Sequence, residues 1–180
     1  SDVYKRQEST LATLTDFETL IETLPDWVGQ GPNHNAWNVV PLTNSTAQTG
    51  QPSVPTHGQR VLATQAQGGL RANMSGCLAS PAESIPAFVD RYNLTVDHWL
   101  AFFDDDAAWV ETRLSGGTWQ VLSPSTPYTN GSSLAGAPSN VWSGASDGWQ
   151  HAHFRLDGVV QPSSTTLEVR FCFQTLSLIH

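Results

Sequence analysis

The sequence predicts an all-β fold built from antiparallel strands. From Thr15 onward, short apolar or alternating runs are separated by Gly, Pro, Asn and Ser, which is typical of strands joined by turns. Only 13% of the residues are charged and 39% are hydrophobic, with 14 Gly and 11 Pro. This composition excludes coiled coils and helical bundles, whose sequences are rich in Ala, Glu, Lys, Leu and Arg. The 180 residues are enough for a single domain with one packed core.

Nine segments have the composition and spacing of strands. They are residues 15–20, 37–40, 60–64, 76–80, 92–103, 109–114, 118–122, 149–156 and 166–173. The last segment alternates most clearly, because its apolar and its other residues fall on opposite faces. One face carries Leu167, Val169, Phe171 and Phe173, and the other carries Glu168, Arg170, Cys172 and Gln174. We therefore expect the first face to be buried and the second to be exposed to solvent.

The segment 92–103 is predicted to be a central strand that is covered on both faces. Trp99 and Phe103 lie opposite to its aliphatic residues, so neither face is polar. The only helical candidate is the segment 8–24, whose leucine spacing is partly helical but whose many Thr residues weaken that prediction. The connections are predicted as a hairpin turn at 115–117 and loops at 44–58 and 123–140.

The charge distribution excludes two classes of partner. The chain has 16 acidic and 8 basic residues, and the basic residues are scattered, so neither nucleic acid nor an anionic membrane surface is expected to bind. No apolar stretch approaches the roughly 18 residues that a membrane span requires. Lys5 is the only lysine, and an acidic, Ser/Thr-rich body suits an exported bacterial protein.

The two ends of the chain are set apart from the predicted domain. Residues 1–7, SDVYKRQ, and 176–180, LSLIH, resemble sequencing-adapter read-through translated together with a metagenomic fragment. We therefore expect two adapter-like tails around one domain at residues 8–175.

Seven short motifs follow one another in a fixed order along the chain. They are Asp-Phe-Glu at 16–18, Trp27, Leu-Ala-Ser-Pro at 78–81, His-Trp-Leu-Ala-Phe at 98–102, Gly-Gly-Thr-Trp at 116–119, Trp-Ser-Gly at 142–144 with Gly-Trp at 148–149, and Val-Arg-Phe-Cys-Phe at 169–173. This order resembles the MAM-like jelly-roll domains. Such domains accompany catalytic domains in secreted bacterial peptidases, among them immune inhibitor A and bacillopeptidase F relatives, and occur in choice-of-anchor adhesin-like proteins.

The resemblance implies a β-sandwich of jelly-roll type and a function without catalysis. We expect an accessory or adhesion module of a secreted multidomain bacterial protein such as a peptidase. Its partners would be the adjoining catalytic domain and an extracellular protein or glycan, and its location would be secreted or at the cell surface. Family members end in one more strand, so we expect this domain to lack its last strand and to present an unpaired, association-prone edge.

Tryptophan supplies the competing hypothesis, a carbohydrate-binding module of a secreted glycoside hydrolase. The chain has seven Trp, and sugars stack on exposed indole faces. Trp109, Trp142 and Trp149 lie near predicted turns and are the candidate ligand-binding residues. Trp99 and Trp119 fall within strand patterns and are assigned to the core.

Three consecutive carboxylates raise the question of structural calcium. Asp104, Asp105 and Asp106 crowd together at the end of a strand, and oxygen ligands of this kind suit Ca²⁺. Asp16 and Glu18 are candidate additional ligands, although the family turn at this place has a different sequence. The alternative is a solvated acidic turn, in which water relieves the repulsion between the carboxylates.

Two further patterns are typical of a catalytic site and of a metal site, but we interpret both as structural. Residues 144–148 match G-x-S-x-G, but Ser146 precedes a strand pattern rather than a helix, so we interpret it as a glycine-rich turn and expect no enzyme. His151 and His153 share one strand face and would chelate zinc with a third ligand such as His98 or Asp97. Their neighbours are core-like, which favours a pair that faces solvent.

Cys77 and Cys172 are the only cysteines, and both lie in strand patterns. Alternation places both on outer faces, so they form a disulfide if their strands are adjacent and remain free thiols if they are not. An exported protein would meet the oxidising environment that a bridge needs.

Overall fold

The protein is described here by a computed structural model that covers residues 26–41, 60–64, 71–85, 92–100, 105–125, 130–131, 136–146, 148–157, 159–160 and 165–176. Within these ranges it is all-β, with antiparallel pairing throughout and one 3-10 turn at His34–Ala36. The predicted strand at 15–20, the helical candidate at 8–24 and the loop at 44–58 lie outside them. No helix in the described ranges is long and apolar enough to cross a membrane.

Twelve strands make up the described fold. They are β1 Val28–Gln30, β2 Trp37–Pro41, β3 Arg60–Thr64, β4 Ser75–Ala79, β5 Glu83–Ser84, β6 Asn93–His98, β7 Ala107–Leu114, β8 Gln120–Val121, β9 Asn130–Gly131, β10 Asn140–Val141, β11 Gln150–Arg155 and β12 Thr166–Gln174. Each predicted strand within the described ranges overlaps one of these. The short strands β1, β5, β9 and β10 were not predicted, because two or three residues carry too little alternation to mark a strand.

β12 lies at the centre of the larger sheet, whose strand order is β1-β4-β12-β7-β8, with β5 pairing the start of β12. Its register with β7 runs from Leu167 opposite Leu114 to Gln174 opposite Ala107. Three two-stranded ladders accompany this sheet, namely β2 with β3, β6 with β11, and β9 with β10. The central strand of the fold is therefore the one whose alternation is clearest in the sequence.

The main core lies between the larger sheet and the β6-β11 ladder. Val110 of β7 and Phe154 of β11 are fully buried in one cluster, whose other buried members are Leu100, Leu122, Trp142, Ala152 and Leu156. The inner face of β12 and the β6 residues Leu94 and Val96 pack against the same cluster. Burial of each large side chain stabilises the fold by about 1.5 to 3 kcal/mol. Strands of the larger sheet and of the β6-β11 ladder thus contribute to one core, while the β-sandwich architecture and the jelly-roll strand order stay predictions.

The predicted hairpin turn joins β7 to β8. Ser115 and Gly116 both have positive φ values, 49° and 73°, and the Gly117 N–H donates to the Leu114 carbonyl at 2.8 Å. Glycine tolerates this left-handed backbone without a Cβ clash, which is why the Ser-Gly-Gly sequence forms the turn.

The outward face of β12 differs from the expectation of solvent exposure. Cys172 is buried, and the Glu168 and Arg170 side chains keep only 13% and 19% of their surface exposed. These residues are covered because they bond to neighbouring strands and pack beside the indole rings of Trp109 and Trp119.

Candidate functional site

The face of the larger sheet that points away from the main core carries side chains in ordered rows. We call this the outer face and define it by Glu111, Arg113, Glu168, Arg170 and Trp119. Facing positions in an antiparallel ladder place their side chains on the same side, so the strand register creates the rows. One row crosses all five strands of the sheet order and consists of Val28, Ala79, Arg170, Glu111 and Val121.

Two ion pairs of alternating sign occupy the middle of the outer face. Arg113 binds Glu168 through two parallel bonds, Nε to Oε2 and Nη2 to Oε1, both 2.6 Å long. Arg170 donates from Nε to Glu111 Oε2 at 2.6 Å, contacts the same carboxylate through Nη2, and donates from Nη1 to the Gln30 side chain. The bond with Glu168 raises the pKa of Arg113 above its usual range. Such forked pairs hold both partners in fixed orientations.

Trp119 lies against both arginines. Its ring centroid is 4.6 Å from the Arg113 guanidinium carbon and 4.4 Å from that of Arg170. The residue is half-buried, one position before the short strand β8, and so the expectation that Trp119 belongs to the core is wrong. Two cation–π contacts fix the indole on the outer face while part of its surface stays in contact with solvent.

Two of the three tryptophans predicted to contact a ligand are buried, which corrects that prediction. Trp109 is 7% exposed, packs with Val141 and Cys172, and donates from Nε1 to Glu111 Oε1 at 2.6 Å. It is the third residue of β7, well inside the strand rather than at its turn.

Trp142 is the second buried tryptophan, with 6% of its surface exposed. It stacks on His98 with ring centroids 4.2 Å apart and meets Phe154 edge-on at 6.0 Å. Trp142 and Ala108 exchange two backbone hydrogen bonds, which extend the sheet beside β7. The Trp142 side chain belongs to the main core. Trp149 is half-buried, and its indole nitrogen is buried without a hydrogen-bond partner among the described residues.

The two cysteines form a disulfide. Cys77 of β4 faces Cys172 of β12 directly, with 4.1 Å between their Cα atoms and a sequence separation of 95. Of the two alternatives that the sequence leaves open, the structure has the bridge, because β4 and β12 are adjacent. It ties the central strand of the larger sheet to its neighbour on the outer side.

The acidic turn is only partly within the described ranges. Asp106 is buried and its Oδ1 accepts the Leu176 N–H at 3.0 Å, whereas Asp105 is exposed. Asp104, Asp16 and Glu18 lie outside the described residues. Among the residues that are described, no three His, Cys, Asp or Glu side chains are grouped to hold a metal ion. Structural calcium therefore stays a prediction that depends on residues beyond those ranges.

The histidines are divided between the two faces of the β6-β11 ladder. His151 faces Asp97, with 2.6 Å between Nδ1 and Oδ1, and His153 lies 3.3 Å from the Ser125 hydroxyl. His98 is on the opposite face against Trp142, so it does not join the pair. Burial lowers the pKa of His98, since its charged form would be poorly solvated there.

Ser146 has a structural position in the described fold. Its hydroxyl donates to the Gly148 carbonyl at 2.9 Å and accepts the Leu100 N–H at 2.9 Å, while its own N–H donates to the Leu100 carbonyl. The side chain thus closes the turn before β11 and pairs it with the chain end of β6.

No protein-family model matches the chain, and neither does any curated protein or solved structure. The grouping of the four charged residues on the outer face was not predicted from the sequence, although the spacing of charges within each strand indicates it. β7 places Glu111 and Arg113 two apart, and β12 places Glu168 and Arg170 two apart, which is the pattern of two complementary strand faces.

Proposed function

We propose that this chain is a non-catalytic binding module of a secreted bacterial protein, of the accessory or adhesion kind that MAM-like jelly-roll domains represent. The observation that carries the proposal is the outer face. Its charged side chains are bonded to one another across rigid strands, and they surround a half-buried indole. A surface fixed in this way recognises a partner with little loss of side-chain freedom.

The disulfide supports a location outside the cytoplasm. Bridges form and persist in oxidising compartments and are rare where thiols are kept reduced. Cys77 and Cys172 are the only cysteines of the chain and are paired, which is the expected state for an exported β-domain.

The side chains that could act as a nucleophile or as an acid or base are engaged in structural hydrogen bonds, which supports a role without catalysis. The Ser146 hydroxyl is engaged by two backbone groups, and the Glu111 carboxylate accepts bonds from Arg170 and from the Trp109 indole. A nucleophile is activated by an adjacent base, and a proton donor must reach its substrate. These groups are instead committed to the fold.

The competing hypothesis, a carbohydrate-binding module of a glycoside hydrolase, has less support from the structure than from the sequence. Trp109 and Trp142 are buried, so neither ring offers a surface for a sugar. Trp119, which was not among the candidate residues, is half-buried and lies on the outer face.

Two measurements test the proposal. The purified chain is first assayed with ester and peptide substrates beside Ser146→Ala, and we expect no turnover above that variant. The fluorescently labelled chain is then incubated with intact Gram-positive and Gram-negative cells, and flow cytometry measures retention against the same chain reduced and denatured. Turnover that disappears in Ser146→Ala, or retention equal to that of the denatured control, would contradict the proposed function.

A further inference from the structure

We infer that the outer face around Trp119 binds a neutral carbohydrate chain, an inference that rests on the proposed function and names the ligand class of the module. The site consists of Trp119 and Val121 at the sheet edge and of Arg113 and Glu168 beside them.

The aromatic surface is suited to a pyranose ring. One face of such a ring presents C–H groups, which pack against an indole. Trp119 is half-buried and held by two guanidinium groups, and Val121, two positions further along the chain in β8, is 42% exposed. An aromatic ring that is already fixed loses little conformational entropy when a ligand stacks on it.

Polar groups for sugar hydroxyls lie in contact with the indole, because the Arg113 guanidinium stacks on its ring. The Nε and Nη2 groups of Arg113 donate hydrogen bonds to Glu168, and its Nη1 group has no hydrogen-bond partner within the described part of the chain. Its side chain is 29% exposed and that of Glu168 is 13% exposed. A hydroxyl both donates and accepts, so a guanidinium donor and a carboxylate acceptor side by side are complementary to it. The forked ion pair keeps both groups in place before a ligand arrives.

The charge of the outer face favours a neutral ligand. The chain carries a net charge of -8, yet Arg113 and Arg170 balance Glu168 and Glu111 on this face. An anionic polysaccharide would meet no surplus positive charge here, and it would be repelled by the protein as a whole. A cationic peptide would find stronger attraction elsewhere on so acidic a protein. A neutral polyhydroxyl chain meets neither obstacle.

The dimensions fit a short stretch of sugar chain. Arg113 and Glu168 face each other on β7 and β12, and the Trp119 ring, one position before β8 at the sheet edge, stacks on the Arg113 guanidinium. Three neighbouring strands span about 10 Å, since adjacent strands are about 4.8 Å apart. This length accommodates a disaccharide unit lying across the strands, with its stacked ring on Trp119 and its hydroxyls over the ion pair.

Titration with defined oligosaccharides tests the inference. Cellohexaose, xylohexaose, mannohexaose and chitohexaose serve as neutral probes, and hexagalacturonate serves as the anionic comparison. Binding is measured by calorimetry and by the shift of the Trp119 indole N–H signal in ¹⁵N-labelled protein, which Trp119→Phe assigns. We expect at least one neutral probe to bind, to shift this signal, and to bind at least tenfold more weakly to Trp119→Ala. Trp119→Phe should lose less than fivefold, because its ring is retained.

Trp149→Ala is the matched control, since it removes a half-buried indole from the residue just before β11, outside the outer face, and should change Kd less than twofold. The inference is overturned if no neutral probe binds at millimolar concentration, if hexagalacturonate binds best, or if Trp149→Ala rather than Trp119→Ala abolishes binding. Circular dichroism checks folding, and if Trp119→Ala does not fold, the indole signal of the unaltered chain decides. Cell retention without oligosaccharide binding would contradict this inference alone and point to a protein partner, whereas loss of both would contradict the proposed function as well.

Discussion

His98 stacks on Trp142, with their ring centroids 4.2 Å apart and their planes inclined by 26°. The histidine lies on the inner side of the β6-β11 ladder, and its Nδ1 is buried without a hydrogen-bond partner among the described residues. Burial lowers the pKa of His98 below its usual value of 6.5, in spite of opposing effects from the Val96 backbone and the Asp97 carboxylate. The core therefore contains a group that resists protonation.

The first prediction is that His98 makes stability depend on pH in the mildly acidic range. Well above pH 6.5 the ring is neutral in both the folded and the unfolded state, so it contributes no pH dependence there. As the pH falls below this value, the unfolded chain binds a proton that the folded chain still rejects, and the free energy of unfolding decreases until the folded pKa is passed. Denaturation with urea between pH 8 and pH 5 should show this decrease in the unaltered chain and a flatter profile in His98→Phe.

His151→Gln is the control for this prediction, because His151 lies on the opposite face with 64% of its side chain exposed. Its profile should keep the decrease that His98→Phe removes. Equal slopes in the unaltered chain and in His98→Phe would show that other groups cause the acid sensitivity.

The second prediction concerns the disulfide. The Cys77–Cys172 bridge closes a loop with a sequence separation of 95 residues. In the chain-entropy model, closing such a loop stabilises the fold by about 4 to 5 kcal/mol through its effect on the unfolded chain. The variant Cys77→Ala/Cys172→Ala should lose about this amount in chemical denaturation, and reduction of the unaltered chain should lose as much. Two free thiols titrated in the unreduced, denatured protein would contradict the bridge itself.

The third prediction is that breaking an ion pair of the outer face destabilises the fold more than breaking an ion pair in solvent. Arg170 and Glu111 keep 19% and 11% of their side chains exposed, so removal of one partner leaves a poorly solvated charge. Arg170→Met should destabilise the fold by about 1 to 3 kcal/mol, and the double variant Arg170→Met/Glu111→Leu should recover part of this loss.

The exposed pair Arg155 and Asp157 supplies the comparison. Its atoms are 3.8 Å apart and the arginine side chain is 68% exposed. Arg155→Ala should change the free energy of unfolding by no more than about 0.5 kcal/mol. If Arg155→Ala and Arg170→Met have equal effects, the outer-face pair is no more sheltered than an ordinary surface pair.

The fourth prediction concerns Gly76 in β4. A Cβ atom at this position would lie 2.9 Å from the Asn33 carbonyl group and from the His34 nitrogen, all of which are backbone atoms. Because backbone cannot move aside as a flexible side chain does, Gly76→Ala should destabilise the fold by about 1 to 3 kcal/mol. Gly116→Asn is the control, since a Cβ there meets nothing within 4 Å and Asn tolerates its positive φ of 73°. In thermal denaturation, the melting temperature of Gly76→Ala should be clearly lower than that of Gly116→Asn.

The sequence predicts the all-β class and most strands of the described ranges, because alternation is a local property. β3 has the predicted bounds, Arg60–Thr64, and β12 extends the prediction by one residue to Gln174. Strand order is not local. β12 pairs with β4 and β7, which lie far from it along the chain, so neither the disulfide nor the rows of the outer face follow from periodicity.

The candidate site shows the same limit. Trp109 and Trp142 are close to turns in sequence, but burial depends on which layer covers a position, and both are covered. Trp119 has a strand-like sequence context and is nevertheless half-buried, because β8 contains two residues and lies at the sheet edge. The charges that hold it come from β7 and β12, whose register no single segment of sequence specifies.

The position of the disulfide determines which part of the chain bears a pulling force. Tension applied to the two ends follows the shortest covalent path, which passes through the sulfur atoms of Cys77 and Cys172 and bypasses the segment between them. At about 3.4 Å per residue, that segment, with its sequence separation of 95, would lengthen the chain by on the order of 320 Å if it were released. Trp119 and both ion pairs of the outer face lie within it, so tension on the chain ends would load the flanking segments and would not extend the segment that carries these residues.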